Sequence, residues 1–556
     1  MKPNVIDSGR KEKPMKPKEE SPNRFGTPSP CSVMQFILLL FLLPFEAWTG
    51  GVVTDCSEAD LRTALAGGGS VTFLCDGTIT LSNTIVVNVD TVLDGRGHDV
   101  TISGGDRVPV LSVTGGATLT VVSLTIANGI SSNGGGGIYV LSQLNATNCT
   151  FHDNNAIASS SGGAIYNWGT LNASGCAFLR NQVVGAIGAT GLDGTEVNSP
   201  RNGGPGGTGA GGAIYNAGTA VIERSLFATN LAVGGTGGHG GNGYFMIVGI
   251  YSNQTGGRGG EGGIGQGGAL FNLGVANAVN CTFVGNATSG GSGGEGGRAG
   301  AFTWNPHGAP QGFPGGDGGP GGVGLSTINQ GGGSVFLRNC TLAFNVAVAG
   351  PGGAPGSGSF GNPNGQPGSG GQAGTGGIGS PASLVNTLMA SNSTGNGWSG
   401  LLDLGHNLSS DDSCAFTNTG SLNNIDPNLG LLADNGGPTL TIALLPGSPA
   451  IDAGDTSSAP FTDQRGLPRP AGLAADIGAF EFGSILPALT IGRSGANQLN
   501  ILVQGNSNQW CRILASSNLS TWFTVATSQI NSNGILLFYD NLTPGAVSQF
   551  YRVAMP

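Results

Sequence analysis

Residues able to do chemistry are sparse in this chain, and their spacing limits what they could do. Cys149, Cys176, Cys281 and Cys340 recur at matching points of a repeat that carries Ser225 at the same point in its third copy. Thiols in a row suggest a metal or redox site. A straight file, however, lacks the tetrahedral geometry a metal requires and reads better as buried, inert thiols. Cleavage of polysaccharides needs clustered carboxylates, as acid and base or around calcium. Only seven carboxylates lie between residues 107 and 400. Asp193, Glu196, Glu261, Glu295 and Asp317 fall in glycine-rich insertions, while Asp153 and Glu223 occupy different offsets of the repeat. His98, His152, His239, His307 and His406 are scattered, with no Ser/His/Asp or metal-ligand spacing. The densest polar group is Asp452, Asp463, Arg465, Arg469, Asp476 and Glu481. It reads either as an acid–base pair with a substrate-binding arginine or, preferably, as ion pairs and turn caps that seal the last rung of the fold. No catalytic residue, metal ligand or cofactor is assigned on these patterns.

Charge and targeting narrow the class further. The chain has 556 residues, a formal net charge of −10 and only 9% charged residues. Every lysine lies within the first 18 residues, and beyond residue 50 there are 14 arginines and no lysine. A lysine nucleophile or Schiff base is thereby excluded from the processed chain, and no basic patch exists for nucleic acid. Residues 1–50 read as an export signal with a long basic leader, its apolar run Val33 to Phe45 being short for a bilayer span. An uncleaved anchor is the alternative, and the long leader leaves the true start codon open. No later segment is apolar enough to cross as a helix, so no transmembrane span is expected in the mature form. Export permits disulfides, and Cys56 with Cys75, in one short N-terminal segment, is the expected pair.

The elements that position these residues come from a repeat. Gly135-Gly136-Gly137-Ile138-Tyr139 leads to Asn148-Cys149-Thr150-Phe151 and then Asn154. Gly162-Gly163-Ala164-Ile165-Tyr166-Asn167 leads to Cys176-Ala177-Phe178 and Asn181. Gly211 to Asn216 leads to Phe227 and Asn230, Gly267 to Asn272 leads to Phe283 and Asn286, and a partial copy has Leu342 and Asn345. The Cys or Ser always follows the Ile or Leu by 11 residues, and the Asn follows the Phe or Leu by three. Short alternating runs between these marks read as strands, and each unit is too small to bury a core alone, so the copies must stack. The fold class expected is all-β, a right-handed parallel β-helix, with Asn154, Asn181, Asn230, Asn286 and Asn345 as a ladder of turn amides bonded along the axis.

The Gly-Gly-Ala-Ile and Phe-x-x-Asn pairs over residues 110–345 resemble the repeats of polymorphic outer membrane proteins. That resemblance implies a surface or secreted right-handed β-helix, in many members an adhesin. Residues 54–104, with Cys56, a short helix capped by Ser57 and Asp60, and three strand-like runs, resemble the start of pectate-lyase-like β-helices. Residues 381–482 carry Asp434-Asn435-Gly436-Gly437-Pro438-Thr439, Gly447-Ser448-Pro449-Ala450-Ile451-Asp452-Ala453-Gly454, Thr462-Asp463-Gln464-Arg465-Gly466 and Asp476-Ile477-Gly478-Ala479-Phe480-Glu481. They resemble the choice-of-anchor Q domain, which implies export and surface display. Residues 485–556 read as a small C-terminal β-module, in which Trp522 is expected in the core.

Four insertions, residues 183–210, 233–266, 287–330 and 348–380, hold about half of the 106 glycines. Each starts shortly after a ladder position, so all four should leave the solenoid at one corner. Their Gly-Gly-x phase suits a threefold extended helix whose two glycine faces lie against neighbours. The expectation is of arms that go out and back as polyglycine-II-like rods, with flexible loops as the alternative. Tyr244, Phe245, Tyr251, Phe302, Trp304 and Phe313 lie at the arm tips and would form a ligand-contacting patch if exposed together. The expected function is that of an exported, surface-associated protein, a non-catalytic adhesin or envelope component facing a polysaccharide or cell-surface ligand. A polysaccharide lyase or hydrolase with an unfamiliar site is the alternative.

Overall fold

Alternation of apolar and polar residues over three to five positions builds strands too short to stand alone, and a computed structural model shows how they stack. It describes residues 50–158, 161–248, 253–304, 311–379, 381–398, 400–495, 497–541 and 548–554, apart from the side chains of 246–248, 302–304 and 311; the export-signal reading of the leader, and Tyr251, therefore lie outside the described residues. Four parallel sheets of eleven, ten, seven and six strands run along one axis, each strand pairing with its equivalent one rung away. The architecture is a right-handed parallel β-helix followed by a distinct C-terminal β-domain.

Register explains why like stacks on like. Phe151, Phe178, Phe227 and Phe283 are paired in order through the ten-stranded face and continue to Leu342. Their rings lie 4.9, 4.6 and 4.7 Å apart, offset by the rung spacing of about 4.8 Å. They fill the core with Ile138, Ile165, Ile214 and Leu270, all fully buried. A left-handed residue precedes every ladder asparagine: Asp153 (φ 53°), Arg180 (52°), Thr229 (56°), Gly285 (61°) and Phe344 (58°). Only one of these is glycine, so the strain at the others must be held by the hydrogen bonds of the asparagine that follows.

The N-terminal end is closed by a helix, Glu58–Ala64, whose N-cap Ser57 accepts a bond from the Asp60 backbone and whose Leu61 and Ala64 are buried on the first rung. Cys56 and Cys75 are joined beside it, 19 residues apart in sequence. Replacing both by alanine is expected to cost about 3 kcal/mol, the loop-closure entropy of a loop of this size. A fall in the urea midpoint, with a slope equal or slightly steeper because the unfolded chain is released, checks this.

The C-terminal half of the solenoid departs from expectation in one respect. The polar cluster of residues 452–481 does not seal the last rung. Residues 429–482 instead fold back as a strap along the outside of the ten-stranded face. Asn280 Nδ2 donates to the Thr462 carbonyl (2.7 Å), Thr282 Oγ1 to Gln464 Oε1 (2.6 Å), and the Ala479 amide to Thr341 Oγ1 (3.0 Å). Beneath the strap, Leu226, Ala228, Val284 and Ala343 pack with Ile442. These outward positions are apolar, so water must be kept from them, and the strap does so. Cys414 and Phe416, with Leu401, pack instead on the open end of the solenoid core.

Beyond the strap, two three-stranded antiparallel sheets form the C-terminal domain around Ile501, Val503, Cys511, Ile513 and Ile530. Trp522 is not in that core. It is half-buried at the surface with the Arg552 guanidinium stacked on its face at 4.3 Å.

Candidate binding surface on the arms

The four insertions leave from consecutive strands of the six-stranded sheet, Gln182–Val184, Leu231–Val233, Ala287–Ser289 and Val346–Val348. Each goes out and returns, giving one layer of outgoing runs and one of returning runs. Within a layer neighbours are parallel: the amides of Gly234, Gly237 and Gly240 donate to the carbonyls of Ser289, Ser292 and Glu295 at 2.8–2.9 Å. Between layers they are antiparallel: Gly257, Gly260 and Gly263 donate to Gly241, Gly238 and Gly235 at 2.7–2.9 Å. Each three-residue step thus turns one N–H sideways, one across and one outward.

Contact, not φ, dictates the glycines. A Cβ on Gly260 would lie 1.9 Å from the Gly204 carbonyl oxygen, and one on Gly259 would lie 1.9 Å from that of Gly294. Only the third residue has room for a side chain, and its outward N–H lacks a rod to bond to. Neighbouring amides and carboxylates supply some of these bonds. Asn242 donates to Asp193 Oδ1 (2.6 Å), Arg298 to Asn242 Oδ1 (3.0 Å), and Gln366 to Asp317 Oδ1 (2.7 Å). Pro205, Pro320 and Pro351 stand at other outward positions, where having no N–H is an advantage.

The distal ends are tied together as well. Gln254, fully buried, accepts from the Tyr244 amide through Oε1 (2.7 Å) and donates to the Thr195 carbonyl through Nε2 (3.0 Å). Its own carbonyl accepts from the Gly300 amide (2.8 Å). One side chain and its backbone therefore join the first three arms. Ser359 joins the fourth, its hydroxyl donating to the Gly300 carbonyl (2.6 Å) and accepting from the Phe313 amide (3.0 Å). A tip sheet pairs Phe245–Val248 with Ala301–Trp304 in parallel, and the latter with Gln311–Gly312 in antiparallel.

Of the aromatic residues read as tip contacts, Tyr244 is 43% and Phe245 58% exposed, and Phe313 is half-buried. Phe302 and Trp304 belong to the tip sheet by backbone, and their side chains lie outside the described residues, as Tyr251 does altogether. Phe360, 53% exposed, stands at the end of the fourth arm. Gln254 and Ser359 escaped the sequence reading because neither recurs in the other arms.

The ladder asparagines are fully buried, and each Nδ2 donates to the next Oδ1. The distances are 3.0 Å from Asn154 to Asn181, 2.9 Å to Asn230, 2.8 Å to Asn286 and 3.0 Å to Asn345. The file continues to Asn392 and Asn396, and a second one links Asn167, Asn216 and Asn272. Neither extension follows from the sequence reading, although the second is visible as the Asn closing the Gly-Gly-Ala-Ile-Tyr-Asn motif at 167 and 216 and its Gly-Gly-Ala-Leu-Phe-Asn variant at 272.

Elsewhere several chemistry-bearing residues have partners, and His307 lies outside the described residues. The thiols of Cys149, Cys176, Cys281 and Cys340 donate to backbone carbonyls, and burial pushes those of Cys176 and Cys281 well above the usual range. Asp153 is held by Arg180 at 2.7 Å, which lowers its carboxyl below the ordinary value. Among the described residues no group of three His, Cys, Asp or Glu side chains is placed to hold a metal ion. A pocket of about 450 Å³ lies between the strap and the C-terminal domain, lined by Phe461, Pro470, Leu473 and Trp510. Arg469, also on its wall, is committed to Glu481 at 2.9 Å, with both side chains fully buried.

That buried pair has a consequence for pH. Burial raises the Glu481 carboxyl to about 7 and the Asp476 carboxyl to about 6, each against the pull of Arg469. The folded strap therefore holds protons that the unfolded chain gives up near pH 4, and its stability falls as pH rises through 6 to 7. Amide exchange of residues 461–482 is expected to be slower at pH 5.5 than at pH 8, after correction for intrinsic rates. Replacing Glu481 with glutamine should flatten that dependence.

Comparison with protein-family models and with curated proteins finds no match. The β-helix architecture, of the pectin-lyase-like kind, thus rests on the strand topology itself. Among the described residues no helix is long and apolar enough to cross a membrane.

Proposed function

We propose that the chain is an exported, surface-associated β-helix protein that works by binding rather than turnover, as an adhesin or envelope component. The observation that carries this is the joining of four arms into one block, with Gln254 and Ser359 tying their distal ends together. A tied tip loses little conformational entropy on meeting a ligand, which favours binding to an extended surface. Tyr244, Phe245, Tyr251, Phe302, Trp304 and Phe313 are the proposed ligand contacts, and a polysaccharide or cell-surface glycan is the proposed ligand class. The same reading takes residues 1–50 as export signal, 51–104 as N-terminal cap and first rungs, and 105–380 as repeats of the polymorphic outer membrane protein kind. Residues 381–482 are taken as a choice-of-anchor Q end of the β-helix and 485–556 as a small C-terminal β-module that serves as a sorting signal, a binding domain or a cap.

The test is a glycan-binding screen on the purified chain without residues 1–50, run beside reducing-sugar assays. Binding without sugar release, lost on Phe245→Ser with the melting curve unchanged, is the expected result. Release of reducing ends from any polysaccharide would overturn it and favour a lyase or hydrolase.

A further inference from the structure

The rod bundle has two lateral edges, and the hydrogen bonding around them is asymmetric. Every outgoing run except the last donates sideways to its successor: Gly188 to Thr236, Gly237 to Ser292, Gly293 to Pro351 and Gly296 to Ala354. Every returning run except the last does the same, as Gly259 to Asp317 and Gly318 to Gln366. The equivalent donor positions of the last arm face outward with no successor. They are Ala349, Gly352, Pro355 and Gly358 on the outgoing run, and Asn364, Pro367, Gly370 and Ala373 on the returning one; the Gly358 amide is taken up by Asn364 Oδ1 of the same arm at 3.0 Å. At two of these eight positions, one near the middle of each layer, the donor has been removed by proline.

The opposite edge is closed by other means in its outgoing layer, while its returning layer carries Arg201, Gly204 and Gly207 at the corresponding positions. The second glycine of each step points its missing Cβ at the preceding run. A Cβ on Gly235, Gly238 or Gly241 would lie 1.8–2.0 Å from the carbonyl oxygen of Ala186, Ala189 or Leu192, and one on Gly294 would lie 2.0 Å from that of Gly238. In the first outgoing run these same positions carry Ala186, Ala189 and Leu192, with Ala189 and Leu192 exposed. Their Cβ atoms stand where the carbonyls of a preceding rod would have to lie. This is why the first outgoing run reads Gly-Ala-Ile-Gly-Ala-Thr-Gly-Leu-Asp while the inner runs read Gly-Gly-x.

We propose that these two edges are complementary surfaces for a second copy of this chain, each blocked: the first by side chains at 186, 189 and 192, the last by prolines at 355 and 367. An unpaired row of backbone groups is a template for association, and a bundle made only of glycine rods would have two. The last edge of one copy and the first edge of another form one heterologous contact, so each stop alone is sufficient to prevent it. The rungs that precede the first arm occupy the space beside its base, so the joined solenoids must lie on opposite sides of the contact.

Sedimentation of four full-length mature proteins tests this. Wild type, the first-edge variant A186G/A189G/L192G and the last-edge variant P355G/P367G are each expected to remain monomeric through their bundles. The five-fold variant is expected to associate in open-ended, concentration-dependent fashion. An equimolar mixture of the two single-edge variants should stop at a 1:1 complex, since each brings one open edge. Amide exchange over residues 234–264 and 290–324 reports whether the rods are intact. A five-fold variant with intact rods that stays monomeric at millimolar concentration overturns the proposal, as does self-association of either single-edge variant through its bundle. Should Leu192→Gly loosen the first run, the same comparison with Leu192 retained decides.

Discussion

Gly294→Ala is expected to unfasten the arm bundle while leaving the solenoid folded. Gly294 sits in the middle of the outgoing layer, its amide bonded to Gly260 and its carbonyl accepting from Gly319, both at 2.8 Å. A Cβ there would lie 2.0 Å from the Gly238 oxygen and 2.6 Å from its carbonyl carbon. Backbone on both sides is itself bonded and cannot step aside, so the cost is that of overpacking at its upper end, about 3 kcal/mol or more. Because rods exchange bonds with several neighbours, the loss should spread. Amide protection is expected to fall over the rod residues 234–264 and 290–324 and to persist at Ile138, Ile165, Phe178 and the intervening rung strands Leu270–Asn272 and Val275–Val279. Gly370→Ala is the matching control. Its Cβ would meet nothing closer than 3.9 Å, so the change should stabilise by about 0.5 kcal/mol through the unfolded chain. Loss of protection in both variants, or in neither, would contradict the packing argument.

The second large effect is expected at Asn230. Its Oδ1 accepts from both the amide and the Nδ2 of Asn181 (3.0 and 2.9 Å), and its Nδ2 donates to Asn286 Oδ1 and the Phe178 carbonyl (2.8 and 2.9 Å). Alanine leaves several fully buried groups without partners and should cost about 4 kcal/mol. Aspartate keeps the acceptors, loses the donors and places a charge where no water reaches. It should be worse than alanine at pH 8 and recover toward pH 4, since a buried carboxyl is held protonated and its stability is lost as pH rises. Chemical denaturation at the two pH values reads this directly. Equal destabilisation at both would mean that the ladder's charge state does not matter.

The solenoid was legible because stacking forces equal positions to share one environment, so Phe151, Phe178, Phe227 and Phe283 announce themselves by recurrence. The ladder was legible for the same reason as far as Asn345. It was lost beyond, where Leu342 gives way to Met389 in the paired strand, which hides the unchanged three-residue offset to Asn392, and where Asn396 follows only four residues later. The strap was not legible. Its contacts, such as Thr282 with Gln464, join residues 182 apart in sequence, and the apolar Leu226 and Val284 that it covers look like any strand alternation. The glycine phase showed that rods could form, but not that their edges differ, because the meaning of Ala189 or Pro367 depends on which neighbour is missing. The tip was least legible, since Gln254 acts once and has no counterpart to compare.

The threefold phase of the rods also governs how such a molecule can change length. Three residues advance a rod by about 9 Å, so an arm lengthens in jumps of six residues, three out and three back. Any other insertion turns the following glycines away from their neighbours and brings a bulky residue inward. An isolated lengthening would also leave the new segment without lateral partners. The distance between tip and solenoid is therefore a discrete variable, shared by four separate stretches of one polypeptide that can be altered only in step.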